Sequence, residues 1–178
     1  MLHKQLPLPV KFICGFIYSD ETAYCGALRN LEGRFGRVDF QSQIIDFDFT
    51  DYYYSEMGKP LWRRFVSFRK LQNPDAFSKI KSFCINVEKK YARAEKRKVN
   101  IDPGYINEAK LVLTTTKDFS HRIYLGRGVY AEVTLYFSKG EFCSFATTFP
   151  DYRTQRYKNI FHRLRNIYQQ DIKNGHKE

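Results

Sequence analysis

The segment from Asn100 to Leu135 holds the side chains best suited to bind an anion or to move a proton. A histidine has an unperturbed pKa near neutrality and can act as a general acid or base. Lysine and arginine side chains are typical ligands of phosphate groups. The pattern therefore predicts a polar cleft. Its candidate catalytic residues are His121 and Asp102, and its candidate ligand-binding residues are Asn100, Lys117, Arg122, Arg127, Glu132 and, from further along the chain, Arg153.

Several of these side chains also have an interpretation that involves no ligand. His121 falls on the apolar face of a predicted strand, where a hydrogen-bonded histidine of the core is the alternative. Arg122 faces Glu132 across a predicted hairpin, and such a cross-strand ion pair contributes roughly 0.2–1 kcal/mol. Arg127, between two glycines, either binds phosphate or is an exposed turn residue. Arg153 belongs to the segment Asp151-Tyr152-Arg153, which either closes the cleft as a short gate or caps the last helix.

Three aspartates are candidate ligands of Mg²⁺. Asp46 and Asp48 alternate with apolar residues along a predicted strand, and Asp51 follows in a turn. Mg²⁺ needs only one or two carboxylates beside the oxygens of a substrate, and Asp102 is a further candidate. The alternative is a solvated strand face that binds no metal. No zinc motif and no P-loop of the GxxxxGKS or GxxxxGKT type occur in the chain.

The composition indicates a basic protein with anionic partners. The 178 residues carry a formal net charge of +11, and the pI is about 9.5. This charge favours nucleotides, RNA or acidic protein surfaces as partners and leaves the oligomeric state open. No apolar run reaches the roughly 18 residues of a transmembrane helix, and no signal peptide is recognisable. We therefore expect a cytoplasmic protein without a membrane partner.

The first part of the chain predicts strand, helix and strand in succession. Residues 10–18 form an apolar run typical of a strand that is buried on both faces. Ser19 and Gly36 are placed to cap the two ends of the following helix. Residues 37–49 alternate between apolar and polar side chains, which predicts one strand with a buried and a solvated face.

The middle of the chain continues the alternation of strands and helices. Residues 61–71 predict a third strand, and the Asn73-Pro74 pair begins a helix with a clear apolar stripe. Residues 98–101 predict a short strand, which Asp102-Pro103-Gly104 ends as a turn. Residues 109–116 predict the next strand. The order βαββαβ is that of a ferredoxin-like core.

The last part of the chain predicts a β-meander and a helix. A three-residue loop at Gly126-Arg127-Gly128 sets Tyr124 opposite Tyr130, and Lys139-Gly140 forms a second turn. The final helix begins near Thr154. We therefore expect one α+β domain over residues 1–178, in which a ferredoxin-like core is extended by an antiparallel meander and a C-terminal helix. Residues 1–9 and 172–178 are expected to be flexible termini.

The sequence contains several long strings that point to one protein family. They include Glu56-Met-Gly-Lys-Pro-Leu, Asn100-Ile-Asp-Pro-Gly-Tyr-Ile, Thr115-Thr-Lys-Asp-Phe-Ser-His-Arg-Ile-Tyr-Leu-Gly and Phe149-Pro-Asp-Tyr-Arg. Together these strings resemble an uncharacterised prokaryotic family, domain-of-unknown-function family 4416. The resemblance covers nearly the whole chain, and it implies no established activity. Some relatives carry the label of GTP-binding protein, which the missing P-loop does not support.

Three functional hypotheses follow from these patterns. The first is the binding of a phosphate-bearing ligand, a nucleotide or RNA, in the polar cleft. The second is a metal-assisted phosphoesterase or transferase that uses His121 with Asp46, Asp48 or Asp102. The third is a non-catalytic interaction module with the aromatic residues 52–54 as its contact surface. Residues 127–131 resemble part of the aromatic RNA-binding motif of RRM domains but lack its aromatic side chain at the third position.

Overall fold

The computed structural model describes residues 6–175, which form layers of helices on both faces of one antiparallel sheet. Its strands are β1 Lys11–Tyr18, β2 Val38–Gln41, β3 Ile45–Asp46, β4 Trp62–Phe68, β5 Val99–Ile106, β6 Lys110–Thr115, β7 Ile123–Gly126, β8 Val129–Ser138 and β9 Glu141–Ser144. They are arranged in the order β2-β4-β1-β5-β6-β8-β7, with β3 paired to β4 and β9 paired to β8. The predicted α+β class is confirmed.

The helices divide between the two faces of the sheet. They are α1 Glu21–Phe35, α2 Tyr54–Met57, α3 Phe77–Lys90 and α4 Gln155–Gly175, with 3-10 turns at Asp51–Tyr53, Pro74–Ala76 and Asp151–Arg153. Side chains of α1 and α3 pack with Phe12 and Phe16 of β1, whereas those of α4 pack with Ile13. Every residue of β1 is therefore buried, as its continuous apolar run predicts. Within residues 6–175, each helix is too short or too polar to cross a membrane.

The predicted order of elements meets no conflict, but the turn predicted at residues 102–104 is wrong. β5 continues through these residues, and all eight of its residues pair with β1. Only its last three residues pair with β6. The next pair in the same register would be Pro103 with Thr114, and proline has no N–H to donate. The two strands consequently separate at Pro103, and the extended proline is tolerated because no partner strand needs its nitrogen.

Two other predictions need correction near the beginning of the sheet. The single strand predicted over residues 37–49 is divided into β2 and β3 at Ser42. The Ser42 hydroxyl accepts a hydrogen bond from the N–H of Phe65 at 3.0 Å and so takes the place of a backbone carbonyl in the ladder. The cap of α1 is Asp20, not Ser19, because the Asp20 carboxylate accepts from the N–H of Ala23 at 3.0 Å.

The predicted hairpin is confirmed, but its register shifts between Tyr124 and Gly126, so Gly126 pairs with Val129 and the loop is shorter than the three residues predicted. Tyr124 pairs with Tyr130, and Arg127 lies at the tip with a positive φ of 59°. A second turn at Lys139-Gly140 joins β8 to β9, as predicted. Of the termini expected to be flexible, residues 1–5 and 176–178 lie outside the described residues, and residues 172–175 continue α4.

Candidate functional site

A cavity of about 550 Å³ opens where β5 and β6 separate, and we call it the central cavity. Its walls come from the beginning of β5, the end of β6, one flank of α3, residues 47–53 and residues 149–152. The hydroxyl of Thr114 donates to the carbonyl of Pro103 at 2.7 Å, in place of the missing rung between the strands. The volume lies within the range of small-molecule sites.

Two charged side chains of α3 hold the free edge of β5. Lys81 Nζ donates to the carbonyl oxygen of Ile101 at 2.9 Å, and Glu88 accepts from the Ile101 N–H at 2.7 Å. These groups replace the backbone partners that β6 would otherwise supply. Burial raises the pKa of the Glu88 carboxyl, and the attraction of Lys81 and the hydrogen bond from Ile101 offset only part of that rise.

A buried guanidinium, that of Arg63 in β4, connects two carboxylates. Its Nη2 donates to Asp151 Oδ2 at 2.9 Å, and its Nη1 lies 3.4 Å from Asp102 Oδ2. Burial by itself would lower the pKa of Arg63, but the neighbouring Tyr152 and Asp151 raise it by more, so the group stays cationic. Gly15 leaves the space that Arg63 occupies, because a Cβ at Gly15 would lie 2.9 Å from Arg63 Nη1.

A second arginine, Arg97, organises the other end of the same network. It forms a bidentate pair with Glu56, with both N–O distances at 2.7 Å, and this pair lowers the pKa of Glu56. Its Nη1 also donates to Asn100 Oδ1 at 2.8 Å, and Asn100 in turn donates to Asp102 Oδ1 at 2.9 Å. Asp102 is thereby held between Asn100 and Arg63.

Glu132 of β8 anchors the opposite wall of the cavity. Its carboxylate is buried and accepts from Arg122 Nε at 2.8 Å, and His121 Nε2 lies 3.1 Å from the same oxygen. The guanidinium of Arg122 also donates to the carbonyl of Lys117 at 2.9 Å, which fixes the segment after β6. The ion pair predicted from the hairpin register is therefore present and buried on its acidic side.

The two lysines that line the central cavity form no ion pair with a carboxylate among residues 6–175. Every carboxylate of the lining pairs with an arginine: Asp102 and Asp151 with Arg63, Glu88 with Arg97 and Glu132 with Arg122. Lys81 and Lys117 form no ion pair among residues 6–175. Lys117 Nζ instead donates to the hydroxyl of Tyr52 at 2.8 Å and lies 4.2 Å from its ring centroid. The central cavity therefore presents two ammonium groups that have no carboxylate oxygen within 4.0 Å among residues 6–175.

Aromatic rings occupy one side of the mouth. Phe49, Tyr52 and Phe149 line the cavity and are 41%, 57% and 41% exposed. Tyr53 is half-buried, and its ring lies 5.0 Å from that of Tyr52 in an edge-on arrangement. Of the aromatic surface proposed at residues 52–54, only Tyr52 is exposed. These rings offer flat apolar surface beside the cationic groups.

The structure brings together some of the predicted site residues and not others. Asn100, Asp102, Lys117, Arg122 and Glu132 line the central cavity. His121 does not line it, and it lies in the turn before β7, half-buried against Glu132, not on the apolar face of a strand. The predicted residues that do not line the cavity are Arg127, Arg153, Asp46, Asp48 and Asp51.

The positions of these outlying residues have local explanations. Arg153 donates to the carbonyls of Thr148 and Ala146, both at 2.7 Å, and so secures the chain before α4. The aspartates Asp46, Asp48 and Asp51 are all exposed. Within residues 6–175, no group of three or more His, Cys, Asp or Glu side chains is close enough to hold a metal ion.

Sequence reasoning missed five charged residues of the cavity, and one pattern could have revealed two of them. Lys81 and Glu88 lie seven residues apart within the apolar stripe of α3, which runs through Cys84. Charged side chains on the buried face of a helix need partners, and this indicates a polar site. The sequence indicates Asp151 only as part of the short gate at residues 151–153, and no local pattern marks Arg63 or Arg97.

Comparison with known proteins yields one match. A family model described as a domain of unknown function, DUF4416, matches residues 8–168 and so covers almost the whole chain. No curated protein matches the chain. No solved structure matches it either.

Proposed function

We propose that this chain, which belongs to the DUF4416 family, binds a phosphate-bearing ligand of nucleotide size in the central cavity. One observation carries the proposal: the carboxylates of the lining are all paired with arginines, whereas Lys81 and Lys117 are not paired with any carboxylate of the described residues. Lys81 is buried and has three N–H donors, of which the protein engages one. An anion in the cavity would supply acceptors and charge to both lysines.

The remaining features of the cavity support a nucleotide as the form of that anion. The rings of Phe49, Tyr52 and Phe149 provide surface on which a base can stack. The hydroxyls of Thr115 and Thr116 at the end of β6 are available to a sugar or a phosphate. The volume of about 550 Å³ lies within the range of small-molecule sites.

Calorimetric titration with ATP, AMP, adenosine and inorganic phosphate tests the proposal. We expect ATP and AMP to bind, with an affinity that falls as salt is added, and we expect adenosine to bind more weakly. Lys117→Gln should weaken ATP binding about tenfold or more, because a hydrogen bond to a charged group contributes roughly 1.5–3 kcal/mol. Lys117→Arg, which keeps the charge, should retain most of the affinity.

Lys59→Gln is the matched control for Lys117→Gln. Lys59 Nζ lies 3.9 Å from the ring centroid of Tyr54, a contact like that of Lys117 with Tyr52, but it does not line the cavity. Its substitution should leave ATP affinity within about twofold. The proposal is wrong if none of the phosphate-bearing compounds binds at millimolar concentration, or if the two glutamine variants weaken binding equally.

A further inference from the structure

A second cavity lies on the other flank of α3, and we call it the basic cavity. It has a volume of about 500 Å³ and is bordered by the end of α1, residues 70–76, α3 and the tip of the β7–β8 hairpin. Lys79, Phe83 and Asn86 of α3 line it, whereas Lys81, Ile85 and Glu88 line the central cavity. Each triplet follows helical spacing along one side, so α3 is a wall between the two cavities.

The charged side chains that line the basic cavity are all cationic, whereas those of the central cavity include both signs. Four cationic side chains, Arg34, Lys70, Lys79 and Arg127, line it, and no Asp or Glu does. None of the four forms an ion pair within the part of the chain that the structure describes. All four residues are exposed, and their charges therefore remain available to a ligand from solution.

The hairpin brings Arg127 to this cavity from the far edge of the sheet. Gly126, Arg127 and Gly128 all have positive φ, at 94°, 59° and 70°, which makes the tip tight. The Gly128 N–H donates to the hydroxyl of Tyr124 at 3.2 Å, and this bond ties the ring to the tip. Tyr124 is 59% exposed, and its ring lies 5.1 Å from that of Tyr130.

We propose that the basic cavity binds the phosphate backbone of a single-stranded nucleic acid, with Tyr124 as a stacking platform for a base. Grooves that bind single strands combine unpaired Lys and Arg side chains with exposed aromatic rings. The four cations come from separate parts of the chain, so they can engage successive phosphates along a strand. A free phosphate ion would need fewer of them. This site is distinct from the central cavity and does not depend on nucleotide binding there.

Fluorescence anisotropy with a labelled oligoribonucleotide of about 12 nucleotides tests this inference, a length within the range that single-strand grooves cover. The test variant is Lys79→Gln with Arg127→Gln. Each lost phosphate contact lowers the slope of log affinity against log salt by about 0.7 for single strands, so the double variant should lower it by about 1.4. Tyr124→Ala should weaken binding without changing the slope.

The matched control is Lys139→Gln with Lys173→Gln, which removes the same charge. Lys139 also lies at a hairpin tip with a positive φ, and neither residue lines the basic cavity. The control should keep the wild-type slope. Equal slopes for the two double variants would overturn the proposal, because the binding would then follow net charge alone.

Two further measurements separate this site from the central cavity. Lys117→Gln should leave oligonucleotide binding unchanged, whereas the Lys79 and Arg127 double variant should leave ATP binding unchanged. Loss of oligonucleotide binding in Lys117→Gln alone would place the strand in the central cavity and overturn the inference. Displacement of the oligonucleotide by inorganic phosphate at an equal concentration of phosphate groups would identify a site for small phosphates, and the nucleic-acid proposal would be wrong.

Discussion

Arg63 Nη2 and Asp151 Oδ2 lie 2.9 Å apart, and both side chains are buried beside the central cavity. The pair joins the beginning of β4 to the 3-10 turn before α4, so it connects parts of the chain 88 positions apart. A charge in such a place is tolerated only when an opposite charge accompanies it. The buried charge of Arg63 therefore requires the opposite charge of Asp151, and the converse is also true.

Asp151→Asn should lower the free energy of unfolding by roughly 1–3 kcal/mol, because it removes one of the two carboxylates that accompany the buried Arg63 guanidinium while Asp102 remains. Urea unfolding at neutral pH measures the change. Glu21→Gln is the control, since Glu21 pairs with Arg64 at 3.2 Å but is half exposed. Surface pairs of this kind contribute at most about 1 kcal/mol. A loss in Asp151→Asn no larger than that of the control would contradict the prediction.

Gly15→Ala should lower the free energy of unfolding by roughly 1–3 kcal/mol, because a methyl group has no room at that position. Its Cβ would lie 2.9 Å from Arg63 Nη1, 3.1 Å from Phe65 Cε1 and 3.2 Å from the Tyr152 hydroxyl. The measurement is the shift of the urea midpoint.

Gly33→Ala is the matched control for this substitution. Gly33 is exposed in α1 and has no heavy atom within 4 Å of the Cβ position. Alanine there should raise stability by about 0.5–1 kcal/mol through its higher helix propensity. We expect Gly15→Ala to lower and Gly33→Ala to raise the free energy of unfolding. Stabilisation by alanine at both positions would show that the space around Arg63 is not tight.

Glu88→Gln should raise the free energy of unfolding, relative to that of the wild type, as the pH rises. Burial holds the pKa of Glu88 above its ordinary value of 4.5, so the folded state disfavours the charged carboxylate. The stability that protonated Glu88 contributes is present below the unfolded-state pKa and is lost as the pH rises through the higher folded-state pKa. Glutamine keeps an acceptor for Ile101 but loses this dependence. The difference between variant and wild type therefore moves in favour of the variant above about pH 4.5.

Glu56→Gln should show the opposite trend, which makes it the control for Glu88. Arg97 contacts both carboxylates but lowers the pKa of Glu56, so the stability that Glu56 contributes is present above its unfolded-state pKa and is lost as the pH falls. Urea unfolding of both variants and the wild type between about pH 3 and pH 8 measures the trends. If the stability of both variants relative to the wild type changed with pH in the same direction, the opposite pKa shifts assigned to Glu88 and Glu56 would be wrong.

The elements that depend on local periodicity could be predicted from the sequence. The apolar run of β1 and the stripe of α3, with its Asn73 cap, each specify their element without distant contacts. The hairpin register before the tip was predictable from the turn signal, although the register shift between Tyr124 and Gly126 was not. It correctly placed Arg122 opposite Glu132, and with them one wall of the central cavity.

The features that depend on distant segments could not be predicted in the same way. Asp-Pro-Gly is a turn signal in isolation, yet β1 pairs with these residues along its whole length and holds them extended. Arg63 alternates with Phe65 and Ser67 along β4, and nothing near it in the sequence shows that Asp102 and Asp151 will meet it. The five missed residues of the cavity all have partners supplied by the tertiary fold.

The central cavity opens at Pro103 because of the covalent structure of proline. A strand edge that only lacks a neighbouring strand can pair with one when the chain fluctuates, because its backbone N–H groups still have no hydrogen-bond acceptor. At Pro103 there is no amide hydrogen to satisfy, and the Thr114 hydroxyl already occupies the carbonyl. The opening is thus a property of the fold itself, and an incoming molecule need not expend binding energy to separate the two strands.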